Sequence, residues 1–230
     1  MSKPFALTFS NPLTGPVVTD VELVEARLQE LHPTLTSSIL ADAVAQALNE
    51  RNESTEASAP TEAGVSQWLK LVKLVRTWLS AEGWSILNTL NCPFIVSPDR
   101  SISIVIMTGS VETGRKGFGE PTNQAEKGAV AERFIKGNQL LLDFNQESFK
   151  LASKKSQETQ VWALLYHYDK KLDEVRYELS LPTGFSKKKI TAWGERLILG
   201  SIPNNPTGFT IREDVPNAPA TVEVQPKTGT

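Results

Sequence analysis

Cysteine is almost missing from this chain: Cys92 is the only one in 230 residues, and histidine occurs twice. A single cysteine excludes an intramolecular disulfide and fits a compartment in which thiols stay reduced. One cysteine and two histidines also exclude a Cys/His zinc site within one chain, so any metal ion would have to be held by carboxylates. Long apolar runs are missing too. The longest is the six residues Val161 to Tyr166, against the roughly 18 that a membrane-spanning helix needs. The start Met1-Ser2-Lys3-Pro4-Phe5 breaks into polar residues and proline, where a secretory signal carries a continuous apolar core. These absences lead to the expectation of a cytoplasmic protein with no membrane partner.

A strong charge of one sign is the third absence. The formal net charge is −2, far from the basic balance of a dedicated nucleic-acid binder. Its distribution is uneven, however. Residues 1–110 hold 7 Lys/Arg against 11 Asp/Glu, residues 111–200 hold 15 against 12, and residues 201–230 hold 2 against 3. The middle segment alone is basic.

What is present is an ordinary globular composition, 40% hydrophobic and 22% charged, which supports one sizeable core. We expect an extended segment over 1–19, one α+β domain over 20–202 and a proline-rich tail over 203–230. Thr19-Asp20 ahead of Val21, Val24, Leu28 and Leu31 marks a helix start, and Pro33 its end. A second helix is expected from Ser37 or Ser38 through Leu48, then a polar loop over 49–64. The clearest helix signal runs from Val65 to Glu82, with Trp68, Leu71, Val72, Val75, Trp78 and Leu79 on one face and Gly83 after it.

Beyond Gly83 the period falls to two, and strands are expected at 84–87, 93–97 and 101–107. Residues 108–128 read as a long glycine-rich loop, mobile over 110–120, followed by a short helix at 129–135 and a strand at 139–144. Residues 162–168 and 174–181 form the clearest hairpin, its first strand apolar on both faces and its second half wet. Residues 190–199 read as weakly helical or extended. The five tryptophans are assigned to the core, and residues 221–225 alternate as an added edge strand would. The fold class expected is α+β: an N-terminal helical layer on a largely antiparallel sheet, with extended proline-rich termini.

The candidate chemistry is narrow. The segment Gly114 to Gly119 is glycine-rich, but Lys127 is followed by Gly128 and Ala129, so the hydroxyl of a phosphate-binding P-loop is missing. The order of a helix and two strands with Asp99 between them resembles the restriction-endonuclease-like core. That class places Glu-x-Lys on the following strand to hold magnesium. Here that strand reads Ser101 to Met107 without Glu or Lys, and the later hairpin offers Glu178-Leu179-Ser180, so Asp99 is read as a turn residue. His167 is read as a hydrogen-bonded core residue. No serine elbow or Cys/His pairing is present.

What remains is a basic surface. Arg115, Lys116, Lys127, Arg133, Lys187, Lys188, Lys189 and Arg196 are candidates for contacting a phosphate backbone or another anion, and Phe118 and Phe185 for stacking on bases. The expectation is a non-catalytic accessory protein that binds DNA, RNA or a partner already on nucleic acid, with no cofactor, no catalytic residue and no metal ligand. Two alternatives are kept: a structural subunit that meets other protein subunits of a larger assembly, and a degenerate, nuclease-like enzyme using carboxylate-bound magnesium.

Overall fold

The computed structural model describes residues 15–89, 92–125, 132, 135–138 and 159–204. Lys127, Arg133, the expected strand at 139–144, the tail segment 221–225 and most of both proline-rich ends lie outside them. Of the expected helix at 129–135, residues 132 and 135 are described and both are helical, and helix continues to Asn138.

Three helices come first. In α1, Val21–Leu31, the Asp20 carboxylate accepts the Glu22 and Leu23 amides, satisfying donors that the first turn leaves unpaired. His32, before Pro33, is extended and ends the helix. Thr36 caps α2, Ser37–Asn52, through the Ile39 amide. The third, α3, Glu62–Ala81, ends just before Gly83, whose φ of 87° is open to glycine at little cost.

The strands are β1 (Val17–Val18), β2 (Ser85–Thr89), β3 (Cys92–Val96), β4 (Ile102–Thr108), β5 (Gln160–Asp169), β6 (Glu174–Ser186) and β7 (Lys189–Pro203). They form one seven-stranded sheet in the order β1-β7-β6-β5-β4-β3-β2. The sheet is mixed and not largely antiparallel as expected, because β1 pairs parallel with β7 and β4 parallel with β5. The second pairing has a plain cause. The chain between β4 and β5 is long enough to cross back to the starting end of the sheet, which parallel neighbours require.

The strands of the C-terminal half run longer than expected. Residues 190–199, read as weakly helical or extended, lie in the single strand 189–203, and β6 runs past the expected 174–181 to Ser186 through Pro182-Thr183-Gly184. Register shifts at Tyr177/Glu178 and between Leu181 and Phe185 absorb that irregularity as bulges.

The helices cover one face of the sheet. Val24, Leu28, Leu40, Val44, Leu71, Val75 and Leu79 pack with Ile95, Ile104, Trp162, Leu164, Tyr177, Leu179 and Leu197 in one buried cluster. Trp84, Trp162 and Trp193 are buried as expected of core tryptophans, but Trp68 and Trp78 are only partly buried at the rim of this cluster. The other face carries a smaller cluster of Phe94, Val105, Met107, Ile135, Val161, Ala163, Leu165, Ile190 and Trp193. There the cover is made largely by the chain that leaves β4. Among the described residues no helix is long and apolar enough to cross a membrane.

Candidate functional site

Successive residues of β6 point to opposite faces. Val175, Tyr177 and Leu179 face the helices, so Arg176, Glu178 and Ser180 face the other way. The sequence pattern suggests that this second row is wet. It is buried instead, with Arg176 4% and Glu178 0% exposed, because the 109–124 loop lies across it.

A set of charged side chains clasps that loop. Glu178 accepts from Arg196 Nη2 at 2.6 Å and Nε at 3.0 Å, from Ser180 Oγ at 2.8 Å, and from the Gly114 amide at 2.8 Å. Arg196 Nη2 also donates to Arg115 O at 3.1 Å. Arg176 donates to Thr113 O at 3.1 Å, Val111 O at 2.9 Å and the Asp169 carboxylate at 2.9 Å. Three loop carbonyls and one loop amide thus end on charged groups of the sheet, and such charge-assisted bonds are the strong kind. Gly114 has φ of 71°, and a Cβ there would come within 2.8 Å of Arg176 Cβ, so the loop lies close to the sheet because this residue lacks a side chain.

The ends of the loop are held equally firmly. Gly109 bridges to Asn123, and the Gly109 amide donates to Tyr166 O at 2.8 Å. His167 Nδ1 lies 3.1 Å from Gly109 O, a contact in which the ring N–H donates. Trp193 Nε1 donates to Pro121 O, Thr122 Oγ1 to Ile190 O, and Asn123 Nδ2 to Lys188 O. The 110–120 segment, expected to be mobile, is thus bonded to the sheet at Val111, Thr113, Gly114 and Arg115.

The predicted site residues that are described gather around this loop in three settings. Arg115, Lys116 and Phe118 are on it. Phe118 is 69% exposed, and the Arg115 guanidinium carbon sits 5.3 Å from its ring centroid while Arg115 Nη2 reaches Asp169 at 3.2 Å. Lys187, Lys188 and Lys189 form the β6–β7 hairpin tip at the loop's foot, where Lys189 Nζ donates to Asn123 O at 2.7 Å and Gln124 O at 2.6 Å. Phe185 packs against the second-face cluster beside that tip. Arg196, expected on the basic surface, is 1% exposed beneath the loop and committed to Glu178.

Other ionisable groups, beside the loop and in the β3–β4 turn, are shifted by identifiable neighbours. The Lys171 amide holds the Asp169 carboxyl below the usual carboxylate range, with Arg176 adding to the effect. The Ser110 hydroxyl does the same for Glu112. Asp99 accepts from Ser97 Oγ at 2.6 Å and from the Ser101 amide and hydroxyl at 3.0 and 2.8 Å. Led by the Ser97 bond, these contacts push its pKa down to about 2. Both carboxylates that a nuclease-like reading would use, Asp99 and Glu178, are thus engaged by the protein's own donors. Among the described residues no group of three or more His, Cys, Asp or Glu side chains is placed to hold a metal ion.

Sequence reasoning missed the clasp itself. Its one signal was the Glu174, Arg176, Glu178 alternation, which indicates a solvated strand face as readily as a buried charged one. Comparison with protein-family models, curated proteins and solved structures gives no match, so the functional reading rests on the residues alone.

Proposed function

We propose that this chain is a non-catalytic accessory protein that binds nucleic acid through the 109–124 loop and the adjoining β6–β7 hairpin tip. The observation that carries this reading is the Phe118 side chain, 69% exposed on a loop whose base is clasped to the sheet. A large aromatic held in water by an anchored loop, with Arg115 against its ring and Lys116 two residues before it, combines a stacking platform with cations. Lys187, Lys188 and Lys189 extend the cationic surface at the loop's foot. Arg196 does not belong to that surface, since it serves the loop from below.

Stacking on an exposed ring favours unpaired bases, since a duplex buries the faces of its own. Fluorescence anisotropy of labelled single-stranded DNA and RNA at low salt tests the reading. Binding should weaken as salt rises, and Phe118→Ala should lose on the order of 1 to 3 kcal/mol of affinity, as removal of one stacking platform does. If neither single- nor double-stranded DNA or RNA binds at concentrations that saturate ordinary non-specific binders, the reading fails and the assembly-subunit alternative takes its place.

A further inference from the structure

The sheet ends in β2, a strand with no neighbour on its outer side among the described residues. Its residues 85–88 are all exposed, including Ile86 at 55% and Leu87 at 45%. The register with β3 sets the direction of each. Ile86 pairs with Ile95 of the helix-side cluster and Leu87 with Phe94 of the other cluster, so each face of the edge carries one large apolar side chain. An open edge is usually protected by a charge, a proline or a bulge. Ser85-Ile86-Leu87-Asn88-Thr89 has no charge and no proline, and its pairing with β3 is regular.

We infer that β2 is a homodimer contact, in which two copies pair their β2 strands antiparallel about a two-fold axis through Leu87 and join two sheets into one. The strand suits its own reverse. In that register Ser85 stands opposite Thr89 of the second copy, Ile86 opposite Asn88, and Leu87 opposite Leu87, so no like charges meet and the apolar centre closes on itself. This self-complementarity is what an isologous interface requires. An acidic or basic partner would find no ionised group on β2 to select it. Arg76 is turned to Asn88 Oδ1 at 2.9 Å on the helix side.

A five-residue strand alone falls short of the roughly 800 Å² per partner of a standard interface. The flank of α3 adds to it: Val65 and Leu69, 49% and 55% exposed, share the helical stripe that leads through Val72 to Arg76 above β2. A weak, concentration-dependent dimer is the consequence. Its driving force is backbone pairing and apolar burial, so salt should leave it intact while weakening nucleic-acid binding. The two sites can therefore stand or fall separately.

Sedimentation equilibrium of the full chain from low to high micromolar concentration tests the inference. The wild-type mass should rise from one chain to two at both low and high salt. Leu87→Lys should raise the dissociation constant at least about tenfold by setting two ammonium groups opposite each other, and Leu87→Glu should do the same. An equimolar mixture of the two variants should dimerise again, which a misfolded strand would not do. A wild-type chain that stays monomeric throughout, a dimer that Leu87→Lys leaves intact, or a mixture that stays monomeric would each overturn it.

Discussion

The two faces of this sheet are covered by different means. On the helix side the cover is apolar and periodic: Leu28, Leu40, Leu71, Val75 and Leu79 are fully buried and pack on Ile104, Trp162 and Leu164. On the other side an irregular loop is held chiefly by Arg176, Glu178 and Arg196, all buried, acting on backbone groups. Burial of apolar area is non-directional and tolerates substitution, whereas a buried charge is stable only while its partner is present. The helix side should therefore fail gradually under mutation and the loop side abruptly.

The largest expected effect tests that contrast directly. Arg196→Ala leaves Glu178, with no exposure of its own, buried without its cation, and should cost about 3 to 5 kcal/mol in urea unfolding. The double variant Glu178→Leu/Arg196→Met should recover most of that loss, because a buried pair replaced by apolar residues of similar volume is often neutral. It should not recover the loop. With the Gly114 amide and Arg115 carbonyl left without partners, proteolysis should move to residues 111–120. If the single variant loses less than about 1 kcal/mol, which is no more than an ordinary surface ion pair contributes, the clasp is not what holds this face.

On the helix side, Leu71→Ala should cost about 2 to 5 kcal/mol through its cavity. Trp78→Ala should fall below the roughly 3 kcal/mol at which fully buried aromatics begin, because this tryptophan is only partly buried at the rim. Equal losses at the two positions would mean that Trp78 is a core residue after all. Neither variant should change cleavage of the loop.

These differences follow what could be read from sequence. Asp20, Pro33 and Gly83 mark helix ends by local chemistry, and the apolar stripe of α3 repeats with the helical period. Although α2 runs to Asn52 and α3 starts at Glu62, both inside the loop expected over 49–64, the helical layer was thus legible. Strand β7 was not. Its buried residues Ile190, Trp193, Arg196, Leu197 and Ile202 do not alternate, because bulges on the β6 pairing interrupt the period of two that marks a strand. The clasp was hidden for another reason. A buried Arg and Glu look in sequence like the exposed pair they usually are; only the loop folded over them makes the difference, and that contact joins residues 64 and 81 positions apart. Of the candidate site, the loop residues Arg115, Lys116 and Phe118 were found through composition alone.

Acid should act on the loop through Asp169 and Glu112. The folded pKa values of Asp169 and Glu112 are lowered, and that of Asp99, in the β3–β4 turn, is pushed down to about 2. For a carboxyl so depressed, stability is fully present above the unfolded value of about 4 and is lost as pH falls through the folded one. Loop protection measured by hydrogen exchange should therefore drop below about pH 4 while α3 remains protected. Asp169→Asn should flatten the loop's response, whereas Asp99→Asn, whose contacts stay within the β3–β4 turn, should leave it unchanged. A simultaneous loss of both faces would show that the sheet does not separate them.

The smallest expected effect on stability separates folding from binding. Lys187 and Lys188 form the two-residue turn of the β6–β7 hairpin, and both have positive φ, 49° and 63°. Two positive φ values in a two-residue hairpin loop match a type I′ turn, for which Asn-Gly is the preferred pair and lysine is not. Residues other than glycine and asparagine are strained there. The variant Lys187→Asn should thus fold as well as the wild type, or up to about 1 kcal/mol better, although it removes a positive charge. Lys189 is left in place, since its ammonium ties the hairpin to Asn123 and Gln124. If Lys187 touches phosphates, the variant should bind single-stranded nucleic acid more weakly and with a shallower salt dependence, by roughly 0.7 in log–log slope for each phosphate it no longer neutralises. Unchanged affinity and slope in a variant of equal or greater stability would remove Lys187 from the binding surface.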